Sequence, residues 1–187
     1  MKLIERIDEA RARWNVLEHP FYVRWERGEL THDELAHYAG QYRHAVVALA
    51  ETAAATGDAE HAAEEAAHIE LWDDFAAALD APLAEASPET RECVGTWRRD
   101  DALEARAVLY AIEASQPAIA RTKLIGLREH YGFNHAGTEY FSLHAERDAE
   151  HAEQSRVALV DAPEELATVA EAALRGNWRL LDGCCSS

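Results

Sequence analysis

The segment Tyr140-Phe-Ser-Leu-His144-Ala-Glu-Arg-Asp148-Ala-Glu-His151 sets two imidazoles and a carboxylate at i, i+4 and i+7. On a helix, at about 100° per residue, these three return to nearly the same angle and form one stripe. Imidazole with carboxylate suits a hard or borderline transition metal, such as iron or manganese, better than a soft one. A solvated polar face is the competing reading, because the residues between the three are charged as well. A metal site needs partners from other helices.

Two further segments offer them. His61, Glu64, Glu65 and His68 precede the apolar block Ile69, Leu71, Trp72 and Phe75. Glu64 and His68 are i, i+4, and Glu65 and His68 are i, i+3, so either pair can share a helix face. Ala/Glu-rich helices also produce such pairs by chance. Glu113 falls in an otherwise apolar run, Val108-Leu-Tyr-Ala-Ile-Glu113-Ala-Ser. A carboxylate buried there must be paired or bound to a metal, because an isolated buried charge is too costly. Together these segments offer carboxylates and histidines from three helices, the ligand mix of a dinuclear iron site in a helical bundle. The Glu-x-x-His motif of ferritin-like bundles is not repeated twice.

The rest of the chain reads as helical throughout. Ala is abundant, Pro and Gly are sparse, and β-branched runs are missing. A first helix is expected over roughly residues 2–18, ended by His19-Pro20, and a short helical turn over Phe21–Trp25. Thr31-His-Asp-Glu34 is a capping box that opens a long helix to about Thr56. A third helix is expected over about 59–80, and a fourth begins at Ser87-Pro88. A fifth runs from Asp100-Asp101 towards Gly132, kinked at Pro117, whose missing N–H leaves the Glu113 carbonyl unbonded. A sixth, over about 135–160, carries the opening stripe, and a seventh follows Asp161-Ala-Pro163. The expected architecture is a single all-α domain over residues 1–181, with residues 182–187 as a short mobile tail.

The chain is 187 residues long, enough for one domain with an internal site. A formal net charge of −17 argues against nucleic acid or an anionic membrane as partner. There is no long apolar run and no signal-peptide core at the N-terminus, so a cytoplasmic protein is expected. Cys93, Cys184 and Cys185 form no framework of spaced pairs. Lys2 and Lys123 are the only lysines, which makes the internal one conspicuous. Tyr22, by default, is a core aromatic.

The chain resembles the haem-oxygenase-like diiron oxidases, and within them the CADD-like p-aminobenzoate synthases (chlamydial proteins associating with death domains, and relatives). The resemblance covers nearly the whole chain. It rests on His-Pro-Phe-Tyr-Val-Arg-Trp-Glu-Arg-Gly-Glu-Leu-Thr at 19–31, His68-Ile-Glu-Leu-Trp72 and Tyr110-Ala-Ile-Glu113. Pro117, Ile119-Ala-Arg-Thr-Lys123, Gly132-Phe133, Tyr140-Phe-x2-His144-x3-Asp148-x2-His151 and the terminal Cys-Cys-Ser complete it. The region at 19–31 is shared with TenA-like and PqqC-like proteins and is less specific than the last metal motif.

The resemblance implies a seven-helix haem-oxygenase-like bundle that binds two metal ions, Fe/Fe or Fe/Mn, and no haem. It implies ligands at His68, Glu113, His144, Asp148 and His151. The family's remaining glutamate has no ungapped match: that pairing falls on His61, while a gap assigns the role to Glu64, with Glu65 next. It implies O2-dependent synthesis of p-aminobenzoate for folate. The matching positions make Tyr22 the sacrificed tyrosine, Lys123 the amino donor and Tyr140 an active-site tyrosine. An external, unidentified reductant and a homodimer are also expected. The alternatives are the same metal site acting on a small external substrate, and a metal-free TenA/PqqC-like protein. One difficulty stands: Lys123 lies ten residues beyond Glu113, ~15 Å along an ideal helix.

Overall fold

Local capping signals determine where the chain turns helical. The computed structural model describes residues 2–185 except Ala136; the side chains of residues 147–149 also fall outside that description. Among the described residues the chain forms nine α-helices and one 3-10 helix, with no strand. These are α1 (Leu3–Arg13), the 3-10 turn (Val16–Glu18), α2 (Pro20–Glu26), α3 (His32–Ala55) and α4 (Ala59–Ala78). They continue with α5 (Pro88–Trp97), α6 (Ala102–Glu113), α7 (Gln116–Glu129), α8 (Glu139–Ala158) and α9 (Leu166–Cys184). Thr31 and Glu34 form the reciprocal capping box, and Asp58, Ser87 and Asp101 cap α4, α5 and α6 through their side chains.

This corrects the seven-helix expectation at two joints. The first expected helix ends early: the Asn15 side chain accepts from Leu17 N–H and starts the 3-10 turn. His19 Nδ1 then accepts from Phe21 N–H, making residues 20–26 a helix in their own right. The fifth expected helix divides into α6 and α7 rather than kinking. Pro117 stands in the first turn of the new helix, where its missing N–H costs nothing. Arg11 bonds the opened joint, donating from Nη2 to the Ala114 carbonyl at 2.8 Å and from Nε to Ser115 Oγ at 3.2 Å.

The expected tail is corrected too. Residues 182–184 are the last turn of α9, and Cys184 is buried while Cys185 is exposed, because Leu180, Leu181 and Cys184 continue the buried stripe. Ser186 and Ser187 lie outside the described residues. No helix among the described residues is long and apolar enough to cross a membrane.

Three buried tryptophans tie helices together through their indole N–H groups. Trp25 donates to the Lys123 carbonyl (α2 to α7, 3.1 Å), Trp72 to the Ala39 carbonyl (α4 to α3, 2.9 Å) and Trp97 to the Ala173 carbonyl (α5 to α9, 3.0 Å). Each buries a large apolar body while its polar atom finds a partner. Helix α9 packs on α1, α5 and α6; α3 packs on α4 and α5; α8 packs on α6, α7 and, less extensively, α4.

Trp25 is received by Gly126 on α7. A Cβ there would lie 2.7 Å from Trp25 Cδ1 and 3.1 Å from the Trp25 carbonyl oxygen, which is backbone and cannot swing aside. Gly126→Ala is therefore expected to destabilise the fold by about 1–3 kcal/mol through overpacking. A thermal melt showing an unchanged midpoint would contradict this account of how α2 is seated on α7.

Candidate metal centre

Glu65 and Glu113 bring carboxylates into the interior at 2% and 1% exposure. Around them stand His61, His68, His144 and His151, all buried. Helix α4 supplies His61, Glu65 and His68, α6 supplies Glu113 from its last position, and α8 supplies His144 and His151. The rotation of α4 is fixed at its start by the Asp58 cap and further along by the Trp72 indole.

The histidines face one another in pairs. The rings of His61 and His151 lie 4.2 Å apart, and those of His68 and His144 lie 4.4 Å apart. The first histidine of one helix meets the last of the other, so α4 and α8 pass antiparallel here. Each end of the cluster then holds an imidazole from each helix. Glu65 Oε1 lies between the ends, 3.0 Å from His68 Nδ1 and 3.9 Å from His61 Nε2. Glu113 Oε1 adds a second carboxylate at the His61 end, 2.9 Å from His61 Nε2.

Ligand atoms of His61, Glu65, Glu113 and His151 all lie within 4.8 Å of one another. That is roughly the span of one coordination sphere with bonds near 2.0–2.2 Å. Burial raises the Glu65 carboxyl, but the hydrogen bond from His68 and the charges of His68, His144 and His61 outweigh it, and the net shift is downward. The carboxylate is thus held in its ionised form. Two buried carboxylates among four imidazoles fit a cationic group, and the two-ended arrangement is compatible with two metal ions.

Some expected residues come together here and others do not. His68, Glu113, His144, His151 and Glu65 are in the cluster. The Asp148 side chain lies outside the described residues. Glu64, preferred over Glu65 on the sequence, sits at the rim, with its side chain 28% exposed and Oε2 3.2 Å from His151 Nε2. Neighbours on a helix point about 100° apart, and the capped orientation of α4 turns Glu65 inward. His61, outside the ligand set expected from the sequence, joins the cluster. The signal was present: His61-x3-Glu65-x2-His68 has the spacing of His144-x3-Asp148-x2-His151.

Outside this cluster a cavity of about 540 Å³ opens over His61 and His151, lined also by Asp58, Glu60, Glu64, Glu150 and Gln154. Its four carboxylates favour the approach of cations.

Tyr22 and Lys123 form a second buried group. Lys123 Nζ donates to Tyr38 Oη at 2.7 Å and lies 4.7 Å from the centre of the Tyr22 ring. The hydroxyls of Tyr22 and Tyr38 are 2.9 Å apart. Helix α7 starts afresh after the break that follows Glu113 and carries Lys123 against Tyr22 of α2 and Tyr38 of α3. Burial pulls the Lys123 pKa down to about 7, with a smaller upward effect from Cys184. Burial likewise pushes Tyr22 well above its ordinary value, the charge of Tyr42 adding to the effect and the Tyr38 hydrogen bond opposing it. Rings fill the space between the two groups: Tyr140 lies 4.1 Å from His144 and 4.9 Å from Trp72, and Trp72 lies 5.8 Å from Tyr38.

Metal binding should separate the two adjacent glutamates. Glu65→Gln is expected to lower metal stoichiometry and abolish the rise in melting temperature on adding Fe2+, while Glu64→Gln keeps both. Atomic-emission metal counts and melts, with and without chelator, provide the check; the reverse pattern would return the ligand role to Glu64.

Comparison with known proteins agrees with this picture. Residues 29–183 match the family model described as iron-containing redox enzyme. A 4-aminobenzoate synthase of Nitrosomonas europaea is 32% identical, covering 96% of this chain and 89% of its own. A 4-aminobenzoate synthase of Chlamydia trachomatis is 29% identical, covering 100% and 96%. Among solved structures, a Shewanella denitrificans domain of unknown function with a heme oxygenase-like fold superposes with a TM-score of 0.77 at 18% identity, covering 98% of this chain and 92% of that one. A TenA homolog from Pseudomonas syringae gives 0.75 at 19%, covering 97% and 90%. These last two show the all-helical haem-oxygenase-like fold alone. With the family model spanning most of its length and a buried histidine–carboxylate cluster at its centre, the chain belongs to the iron-containing redox enzymes.

Proposed function

We propose that the chain is an O2-dependent dimetal enzyme that makes 4-aminobenzoate for folate synthesis from its own Tyr22, with Lys123 as amino donor. The observation that carries this reading is the Lys123 amine held over the Tyr22 ring, both tied to the Tyr38 hydroxyl. The relatives named 4-aminobenzoate synthase support it.

The tyrosine side chain matches the product in carbon skeleton: Cβ becomes the carboxylate carbon, and the ring keeps its para relation. The conversion breaks the Cα–Cβ bond and oxidises Cβ at the expense of O2; the Lys123 nitrogen takes the place of the phenolic oxygen, which leaves as water, and its Cε–Nζ bond breaks to leave Cε as an aldehyde. A pair of bound metal ions, Fe/Fe or Fe/Mn, supplies activation of O2, with electrons from an external reductant. Glu65, His68, Glu113, His144 and His151 would hold them, with Asp148 on the same α8 stripe.

The remaining tasks belong to the chain. Tyr22 and Lys123 are 2% and 3% exposed, so water is kept from the amine and the ring. At neutral pH a lysine with a pKa of about 7 is about half deprotonated and can present its lone pair, where an ordinary lysine is almost wholly protonated. On this reading the substrate ring is part of the chain itself, so no binding step is needed. Tyr140 packs between His144 and Trp72 and fixes the spacing between the metal cluster and the aromatic layer.

The cavity over His61 and His151 favours a second reading, in which the same centre oxidises a small external substrate. Anaerobic loading with iron, with and without manganese, followed by O2 and reductant, distinguishes the two. Wild type is expected to release 4-aminobenzoate and lose side-chain mass at Tyr22, and Tyr22→Phe to release none. Metal-loaded protein in which both chains stay silent would move the assignment to the external substrate.

Lys123 makes a pH prediction. Product yield should rise as pH passes upward through about 7, where the amine loses its proton. Between that value and the ordinary 10.5, the unfolded lysine binds a proton that the folded one lacks, so folding stability also rises with pH. Lys123→Met is expected to end product formation yet raise the melting temperature at neutral pH and flatten its pH dependence. A lower melting temperature would show that the amine's contacts outweigh its desolvation.

A further inference from the structure

His61 stands in the first turn of α4, where Asp58 Oδ1 accepts its backbone N–H at 3.1 Å and fixes its direction. Its imidazole is 4% exposed and lies within ligand-to-ligand distance of Glu65, Glu113 and His151. A histidine buried for packing alone is satisfied by one carboxylate. Here a second carboxylate and a second imidazole crowd the same point, and His151 Nδ1 has no hydrogen-bond partner among the described residues. The motif arithmetic points the same way. His61 stands to Glu65 and His68 as His144 stands to Asp148 and His151, and the two stripes meet antiparallel.

We propose that His61 is a metal ligand, completing the position it shares with Glu65, Glu113 and His151, and that its imidazole biases this position towards iron over manganese. The inference rests on reading the cluster as a metal centre, and adds a ligand and a preference to it. Manganese(II) lies lowest among these divalent ions in affinity for nitrogen donors and is best served by carboxylate and water oxygens. Exchanging an oxygen donor for an imidazole therefore strengthens iron binding more than manganese binding. Because this end of the cluster faces the acidic cavity, ions can exchange with solution in the folded chain, and the preference is an equilibrium quantity.

Metal-free full-length protein equilibrated anaerobically with equal Fe2+ and Mn2+, then desalted and counted by mass spectrometry, tests the proposal without using activity. Wild type is expected to retain more iron than manganese. His61→Glu is expected to shift the Fe:Mn ratio about tenfold towards manganese, and His61→Gln to lose about one metal equivalent. In protein loaded with Mn2+ alone, spin-echo spectroscopy should find one fewer imidazole nitrogen coupling in His61→Gln. Wild-type ratios in His61→Glu, with full stoichiometry and unchanged couplings in His61→Gln, would overturn the His61 assignment and leave the metal centre standing. Wild type that binds neither ion overturns both. Should His61→Gln fail to fold, wild-type protein with selectively 15N-labelled histidine still decides: two coupled histidines at the cavity-side ion support the proposal, and one rejects it.

Discussion

Charge taken out of water must be met by opposite charge, and Glu65 and Glu113 place that requirement at the junction of three helices. The cost is met collectively. Four imidazoles converge on two carboxylates, and each of α4, α6 and α8 has to arrive at a set rotation for that to happen. Caps and indoles supply the rotation: Asp58 starts α4, Asp101 starts α6, and the Trp72 indole locks α4 to α3. The local rules of helix ends thus become the geometry of the centre.

A second buried charge lies across the aromatic layer, handled in the opposite way. Among the described residues no carboxylate is hydrogen-bonded to Lys123. Its amine rests on a tyrosine hydroxyl among the rings of Tyr22, Tyr38, Tyr42 and Phe141, and desolvation shifts it towards the neutral form. One region holds the Glu65 carboxylate ionised and the other suppresses the charge of an amine. The helix break at residues 114–115 makes both possible. Helix α6 ends on Glu113 at the cluster, and α7 sets off separately to bring Lys123 beside Tyr22.

Much of this was legible in the sequence, for identifiable reasons. The stripe of His144 and His151 follows from helical period, and Glu113 was conspicuous as an acid in an apolar run. Thr31-to-Glu34 and Ser87-Pro88 marked helix starts through side-chain chemistry that is local. The choice between Glu64 and Glu65 was not legible, because adjacent residues differ only in the rotation of α4, which tertiary contacts set. The division at Ala114–Ser115 depends on Arg11, about a hundred residues away in sequence, so a proline alone suggested only a kink. The helical continuation through Cys184 is not legible in the sequence, because a polar, small-residue ending reads as a tail unless the packing of α9 on α5 is known. His61 was legible in principle, since its spacing to Glu65 and His68 repeats that of His144 to Asp148 and His151.

The aromatic packing of Tyr22 has a consequence for what remains after the proposed reaction. A ring removed from a surface would leave the fold as it was. Tyr22 instead lies against Phe21, Trp25 and Tyr38 at 2% exposure, so its departure hollows the interior and strips the Tyr38 hydroxyl of a neighbour. Losing an aromatic side chain from such a position costs about 3–5 kcal/mol, a large share of a domain's stability. Used molecules would then be softer than fresh ones, open more often, and reach proteases first. A catalyst that spends its own core would carry its own expiry mark, and supply of the product would follow the rate at which new chains are translated.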